Sequence, residues 1–350
     1  MRTADFDYQL PSRLIAQTPL EPRDASRLMV LSRETEAIAH RRFDEIGEYL
    51  RGGDLLVCND SRVIRARLLG RKVRTGGKVE LLLTAKRQDN LWEALLRGRR
   101  VRVGGQVEFR GTGTGDSAPI VQAEILEAVA GGARMVRFDC EVEPLLEELG
   151  SVPLPPYIHE SLEDAERYQT IYALREGSVA APTAGLHFTP ELMLDLEMSG
   201  VEFAFLTLHI SLDTFRPVRE ERLEEHQMYS EYCQVTSETA HVVNQAKAEG
   251  RRVVAVGTTA VRALETAAKR VSHGDAQVVE PYEGRTGLFI RPGQRFRVVD
   301  ALITNFHLPR STLLMLVSAF AGKELLDRAY QQAIEHEYRF YSFGDAMLIL

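Results

Sequence analysis

The sequence predicts an α/β main domain with a smaller inserted antiparallel β-barrel domain. Three observations carry that expectation. Residues 64–140 break into short β-like runs, the chain beyond residue 151 alternates helical with strand-like patterns, and an apolar strand-like run at 54–58 precedes the β-rich stretch.

Each element follows from a local pattern. The β-like runs fall at 64–69, 79–84, 91–96, 106–109, 121–126 and 135–138, with turns such as Gly76-Gly77 and Gly104-Gly105 between them. Many short strands with regular turn signals suggest a small antiparallel barrel. The acid-rich run 141–149 reads as a helix that Pro153, Pro155 and Pro156 break. Helical patterns follow near 163–174, 190–198, 237–249, 261–270, 311–320 and 324–336. Strand-like runs alternate with them at 202–210, 252–256, 287–290, 301–304 and 346–349. Such alternation argues for a largely parallel sheet. With the run at 54–58 in that sheet, residues 1–62 and 151–350 form the α/β domain and residues 63–150 the insertion.

Composition narrows the function classes. The 350 residues are 44% hydrophobic and 27% charged, the profile of a soluble globular protein. The longest apolar stretch, around 313–321, is far short of a bilayer span, and the start Met1-Arg2-Thr3-Ala4-Asp5 holds no signal-peptide core. The expectation is a cytoplasmic protein, taken as a monomer. Cys58, Cys140 and Cys233 are too scattered for a disulfide framework or a paired-cysteine zinc site, and no His-x3-His pair suggests a metal. The net charge of −7 argues against a nucleic-acid partner, but its distribution argues for one. Residues 61–110 hold fourteen Lys or Arg against four acids. This stretch suits a polyanion, and equally a solvated basic face on a β domain.

Three segments carry the candidate chemistry. In 252–262 an apolar strand runs into Gly257-Thr258-Thr259 and then a helix containing Arg262 and Glu265. The turn can cap the helix and aim its free N–H groups at an anion, or serve as a cap alone. In 180–192 a polar loop with Thr183 and His187 precedes Thr189-Pro190-Glu191, a helix start with Pro at its first position. His187 there is either a loop functional group or a structural histidine. His209, with Asp213 beyond it, and Asn305 with His307 end two further strand-like runs and could converge at one sheet edge. No G-x-G-x-x-G, P-loop or G-x-S-x-G signature is present.

Long ordered segments make the chain resemble the S-adenosylmethionine:tRNA ribosyltransferase-isomerase family of queuosine biosynthesis. They include LPSRLIAQTPLEPRDASRLMVL (10–31), CNDSRVIRARL (58–68), GSVAAPTAGLHFTPEL (177–192), VAVGTTAVRALE (254–265) and YRFYSFGDAMLIL (338–350). The resemblance runs almost end to end. Departures are Ser211 and Asp213, where the family usually has glycines, Gly287 within a run that is often Trp-Thr-Asp, and Arg291 in place of a common aromatic.

The resemblance implies transfer of the ribosyl part of S-adenosylmethionine to 7-aminomethyl-7-deazaguanine at the tRNA wobble position. Adenine and methionine leave and epoxyqueuosine forms, with S-adenosylmethionine as co-substrate, no prosthetic group and no metal. The sulfonium acidifies the C5′ hydrogens, so a base is required. His187 is the first candidate, with His209 and His307 behind it. Glu265 or Asp213 would face positive charge developing at C1′. Gly257, Thr258, Thr259 and Arg262 suit the methionine carboxylate, while Thr183, Asn305 and Tyr157 would hold ribose or base. Arg97, Arg99, Arg100 and Arg102 are expected to meet tRNA. Two rivals remain: a methyltransferase using the same co-substrate, weakened by the missing glycine-rich turn, and a non-catalytic RNA-binding module, weakened by the large α/β domain.

Overall fold

The computed structural model describes residues 1–111, 118–129, 132–211, 218–228, 230–268 and 277–350. It divides the chain into two compact units, one of residues 1–62 and 155–350, the other of residues 63–154.

A nine-stranded sheet organises the first unit. Its order is Tyr282–Thr286, Glu231–Val235, Glu202–Leu208, Leu55–Asn59, Val253–Val256, Ala301–Asn305, Ala346–Ile349, Arg27–Leu31 and Ile38–Arg42. The four strands from Glu202–Leu208 to Ala301–Asn305 run parallel, so their carboxyl ends share one edge. The expectation of a largely parallel sheet holds only for this middle. Ala346–Ile349 is antiparallel to Ala301–Asn305, and the flanking strands return through antiparallel pairs such as Arg27–Leu31 with Ile38–Arg42. The central strands are buried at every position, as strands covered on both faces must be. Leu55 and Val57 enter one apolar cluster, while Leu56 and Cys58 enter the other, on the opposite face.

The helices are Pro190–Met198, Ser237–Ala248, Thr258–Ala268, Thr312–Ala321 and Lys323–Glu335. Side-chain oxygens of Thr189, Thr236 and Ser311 cap three of them by accepting from the N–H groups of Leu192, Thr239 and Leu314. No helix of the described residues is long and apolar enough to cross a membrane.

Three expectations need correction. Residues 163–174 hold only a single 3₁₀ turn, Ala165–Tyr168, because Tyr168, Gln169 and Thr170 are buried in succession, which a one-sided surface helix cannot do. The strand expected at 287–290 lies earlier, at Tyr282–Thr286, where polar side chains hide it and pairing with Glu231–Val235 creates it. The acidic run 141–149 is a 3₁₀ turn, Glu143–Leu145, followed by one short helix, Leu146–Leu149.

In the second unit Arg67–Lys72, Lys78–Gln88, Leu91–Arg97, Arg134–Phe138, Ile120–Ala128 and Gln106–Arg110 pair antiparallel in that order. Gln106–Arg110 then pairs back onto Arg67–Lys72, closing a six-stranded barrel. Val79, Leu81 and Leu83 alternate inward. Gly70 sits where the closing strands meet, and a Cβ there would come within 2.6 Å of the Phe109 ring.

Candidate active site

A cleft opens where the parallel strands end. Crevices at the carboxyl ends of parallel strands are where open α/β sheets bind ligands. Its floor is the junction between Val253–Val256 and the helix Thr258–Ala268. Gly257 has φ +90°, which lets the strand turn straight into the helix, and its N–H donates to the Ile303 carbonyl at 2.8 Å. The first turn of that helix therefore meets the cleft at Thr258 and Thr259, with the orphan N–H groups and positive dipole end of any helix start. Thr259 Oγ1 is buried without a hydrogen-bond partner.

The rest of the lining includes Pro182-Thr183-Ala184, Asn305 to Leu308, and the pair Tyr341-Ser342. Thr183 Oγ1 donates to Asn305 Oδ1 at 2.9 Å. The amide of Asn305 donates to His187 Nε2 at 3.0 Å, so the imidazole carries its proton on Nδ1 and gives it to Ser26 Oγ at 2.7 Å. His187 is buried against Phe43, with ring centroids 5.0 Å apart. Burial, with the nearby charge of Arg339, pushes its pKa down to about 3. Both its ring nitrogens are engaged, and it touches the cleft through Asn305.

His307 differs. It lines the cleft, its Nε2 lies 3.3 Å from Thr304 Oγ1, and its buried Nδ1 has no hydrogen-bond partner. Burial lowers its pKa to about 3, so it is neutral across the physiological range. Tyr8 and Tyr330 clamp its backbone: the Tyr8 hydroxyl donates to its carbonyl, and its N–H donates to the Tyr330 hydroxyl at 2.8 Å. Tyr157 and Tyr341 supply an aromatic wall, with centroids 4.7 Å apart and the Tyr157 hydroxyl 2.7 Å from Ser342 Oγ.

Of the residues singled out in the sequence, Tyr157, Thr183, Gly257, Thr258, Thr259, Asn305 and His307 meet in this cleft, with His187 behind Asn305. Others lie elsewhere. His209 bonds Ser61 Oγ through Nδ1 at 2.7 Å and stacks on Tyr232, and burial lowers its pKa to about 4. Arg262 is 2% exposed and does not line the cleft. Its guanidinium pairs with buried Glu231 and donates to the Leu288 carbonyl at 3.1 Å. Glu231 Oε1 in turn accepts from the Ser211 N–H at 2.8 Å. Glu265 accepts from the N–H groups of Arg297 and Val298, and its carboxylate anchors that loop. Burial raises its pKa. Asp213 lies outside the described residues. Arg97, Arg99, Arg100 and Arg102 are exposed on the barrel at the end of Leu91–Arg97 and the turn after it.

Sequence reasoning missed Ser26, Tyr341 and Ser342. Tyr341 adopts φ +71°, a rare conformation for an aromatic residue, and no composition rule signals it. Among the described residues no group of three or more His, Cys, Asp or Glu is gathered as a metal site would require.

Comparison with known proteins places this architecture. The family model described as queuosine biosynthesis protein matches residues 3–349. Proteins named S-adenosylmethionine:tRNA ribosyltransferase-isomerase from Desulfitobacterium hafniense and Acetivibrio thermocellus are 52% and 51% identical, each over the full length of both chains. That of Natranaerobius thermophilus is 52% identical over all of this chain and 99% of its own. The crystal structure of an S-adenosylmethionine tRNA ribosyltransferase from Thermotoga maritima matches with a TM-score of 0.56 and 43% identity, covering 99% of this chain and 100% of its own. The chain is therefore an enzyme belonging to the queuosine biosynthesis protein family, whose members include those S-adenosylmethionine:tRNA ribosyltransferase-isomerases.

Proposed function

We propose that the protein transfers and isomerises the ribosyl moiety of S-adenosylmethionine onto 7-aminomethyl-7-deazaguanine at the tRNA wobble position. Adenine and methionine leave, epoxyqueuosine results, and the enzyme works as a cytoplasmic monomer without a prosthetic group. The observation that carries this reading is the cleft itself. A helix start suited to a carboxylate, an aromatic wall suited to adenine, and a neutral histidine line one space.

In this reading the Thr258–Thr259 turn holds the methionine carboxylate and Tyr157 with Tyr341 holds the adenine. Removing a C5′ proton requires a lone pair that points into the cleft. His307 lines the cleft and, with Nε2–H facing Thr304, keeps a free lone pair on Nδ1, which is buried and must turn toward a bound co-substrate to act. The lone pair of His187 Nε2 is taken up by Asn305, so His187 acts by orienting that amide and, through it, Thr183. The test uses S-adenosylmethionine labelled separately in ribose and methyl, with precursor-bearing tRNA. Ribose label is expected in the tRNA and methyl label in free methionine. Methyl label in the tRNA makes the protein a methyltransferase and overturns the assignment.

A further inference from the structure

Next to the cleft, and sharing Ser342 with it, lies a smaller cavity. Arg23, Arg167, Ser26 and His187 line it, so His187 stands between the two spaces.

Two guanidiniums line the cavity, with the carboxylates of Glu21, Asp164 and Glu166 near enough to act on Arg23, whose own hydrogen bonds go to uncharged groups. The Arg23 guanidinium donates to the Gln169 carbonyl at 2.5 Å and the Glu166 carbonyl at 3.0 Å. Among the described residues it forms no ion pair. Main-chain carbonyls orient a guanidinium without neutralising it. Arg167 donates to the Leu20 carbonyl and pairs with the exposed Glu21 at 2.7 Å. Burial first, then the like charge of Arg167, makes Arg23 easier to deprotonate than an ordinary arginine. A third guanidinium, that of Arg339, is close enough for its charge to act on His187. One of its nitrogens donates to the Thr18 carbonyl and another is buried without a partner. Holding like charges together in partial burial is unfavourable in isolation and becomes favourable when an anion joins them.

We propose that this cavity is an anion subsite that takes a backbone phosphodiester of the tRNA beside the nucleotide presented to the cleft. The inference rests on the function proposed above. Arginine forks match phosphate oxygens. A carboxylate of S-adenosylmethionine already has the helix start at Thr258 within the cleft. A nucleotide entering the cleft brings its phosphates alongside, and buried Ser342 lines both spaces.

The test compares Arg23→Gln, Arg167→Gln and the charge-keeping Arg23→Lys with wild type. Each is measured for tRNA binding across a salt series and for the KM of tRNA and of S-adenosylmethionine. Each Gln variant is expected to weaken tRNA binding about tenfold and to reduce the logarithmic salt slope by about 0.7–0.9, the share of one phosphate. The KM for S-adenosylmethionine stays unchanged, and Arg23→Lys recovers most of the tRNA affinity. On wild type, inorganic phosphate at constant ionic strength is expected to compete with tRNA and not with S-adenosylmethionine. That measurement stands even where the Gln variants fail to fold. Unaltered tRNA binding and slope, or phosphate competing with S-adenosylmethionine alone, overturns the subsite. Binding is read without turnover, so failure of the reaction assignment shows separately, as absence of ribose label in the tRNA.

Discussion

The side-chain amide of Asn305 donates into Nε2 of His187 across 3.0 Å, and this one contact ties the buried imidazole to the wall of the cleft. It consumes the lone pair a base would need. It also fixes the amide, so that Asn305 Oδ1 faces Thr183. Asn305→Asp replaces that donor with a carboxylate, which favours imidazolium. The pKa of His187 is then expected to rise from about 3, followed by nuclear magnetic resonance of labelled histidine. Turnover should fall about tenfold as the cleft wall gains the charge of the new pair, while Thr183 keeps its acceptor. An unmoved pKa would mean the amide does not hold the ring.

His307→Gln removes the one cleft histidine, among the described residues, with an unengaged ring nitrogen. Turnover is expected to drop about 10²-fold or more, with the KM for S-adenosylmethionine nearly unchanged, as for loss of a general base. His187→Gln should cost less, because a glutamine can still accept from Asn305. The reverse ranking in single-turnover rates would return the base to His187.

Stability should depend on pH through the buried histidines. His187 and His307 are held near pKa 3 and His209 near 4 in the folded protein, against about 6.5 when unfolded. Below pH 6.5 the unfolded chain binds protons that the folded one refuses. Their contribution is therefore complete above pH 6.5 and declines as pH falls through 6 and 5 towards 4. The slope is up to about 1.4 kcal/mol per pH unit for each histidine. Urea unfolding at pH 7, 6 and 5 measures it, and His209→Asn should flatten the curve. A pH-independent midpoint would contradict neutral burial.

Glu231→Gln strips the countercharge from Arg262 in a site where both side chains are almost fully buried. The expected loss is about 3–5 kcal/mol, with much of it recovered in the double variant Arg262→Met with Glu231→Leu. Neither residue lines the cleft, so the KM for S-adenosylmethionine should hold in whatever fraction stays folded. A large change in that KM without destabilisation would place Arg262 on the co-substrate.

Replacing Arg97, Arg99, Arg100 and Arg102 with Gln tests the barrel. All four are exposed, and the Arg97 side chain is 76% exposed with Glu80 only at 4.0 Å. The logarithmic salt slope of tRNA binding should shrink by up to about 3 to 4, at 0.7–0.9 per phosphate, with thermal melting unchanged. Equal slopes in a folded variant would mean these arginines do not meet the tRNA.

The sequence announces the fold where period and burial agree. Pro190–Met198 and Ala346–Ile349 stand where their patterns put them, because a cap or an unbroken apolar run identifies each locally. Glu231–Val235 and Tyr282–Thr286 were illegible, since alternating polar residues become a strand only when a partner arrives. The cleft was readable where a motif fixes backbone, as at Gly257-Thr258-Thr259. It was not readable for Arg262 or Glu265, whose helix turns them towards Glu231 and Arg297. Spacing along a chain gives a helix face, but the neighbour that face meets is a tertiary fact.

Ala346–Ile349 lies between Ala301–Asn305 and Arg27–Leu31, joining residues more than three hundred positions apart. The hairpin of Arg27–Leu31 with Ile38–Arg42 has no other route into the sheet. Until that strand slots in, the hairpin has an open edge, and the segment bearing Tyr341 and Ser342 has no fixed address. Assembly of the cleft is thus coupled to a strand pairing of very high sequence separation, the kind of contact that forms late and slowly. A chain caught before that step would expose a raw β-edge and bind nothing, so chaperones and proteases meet a species that is both sticky and inactive.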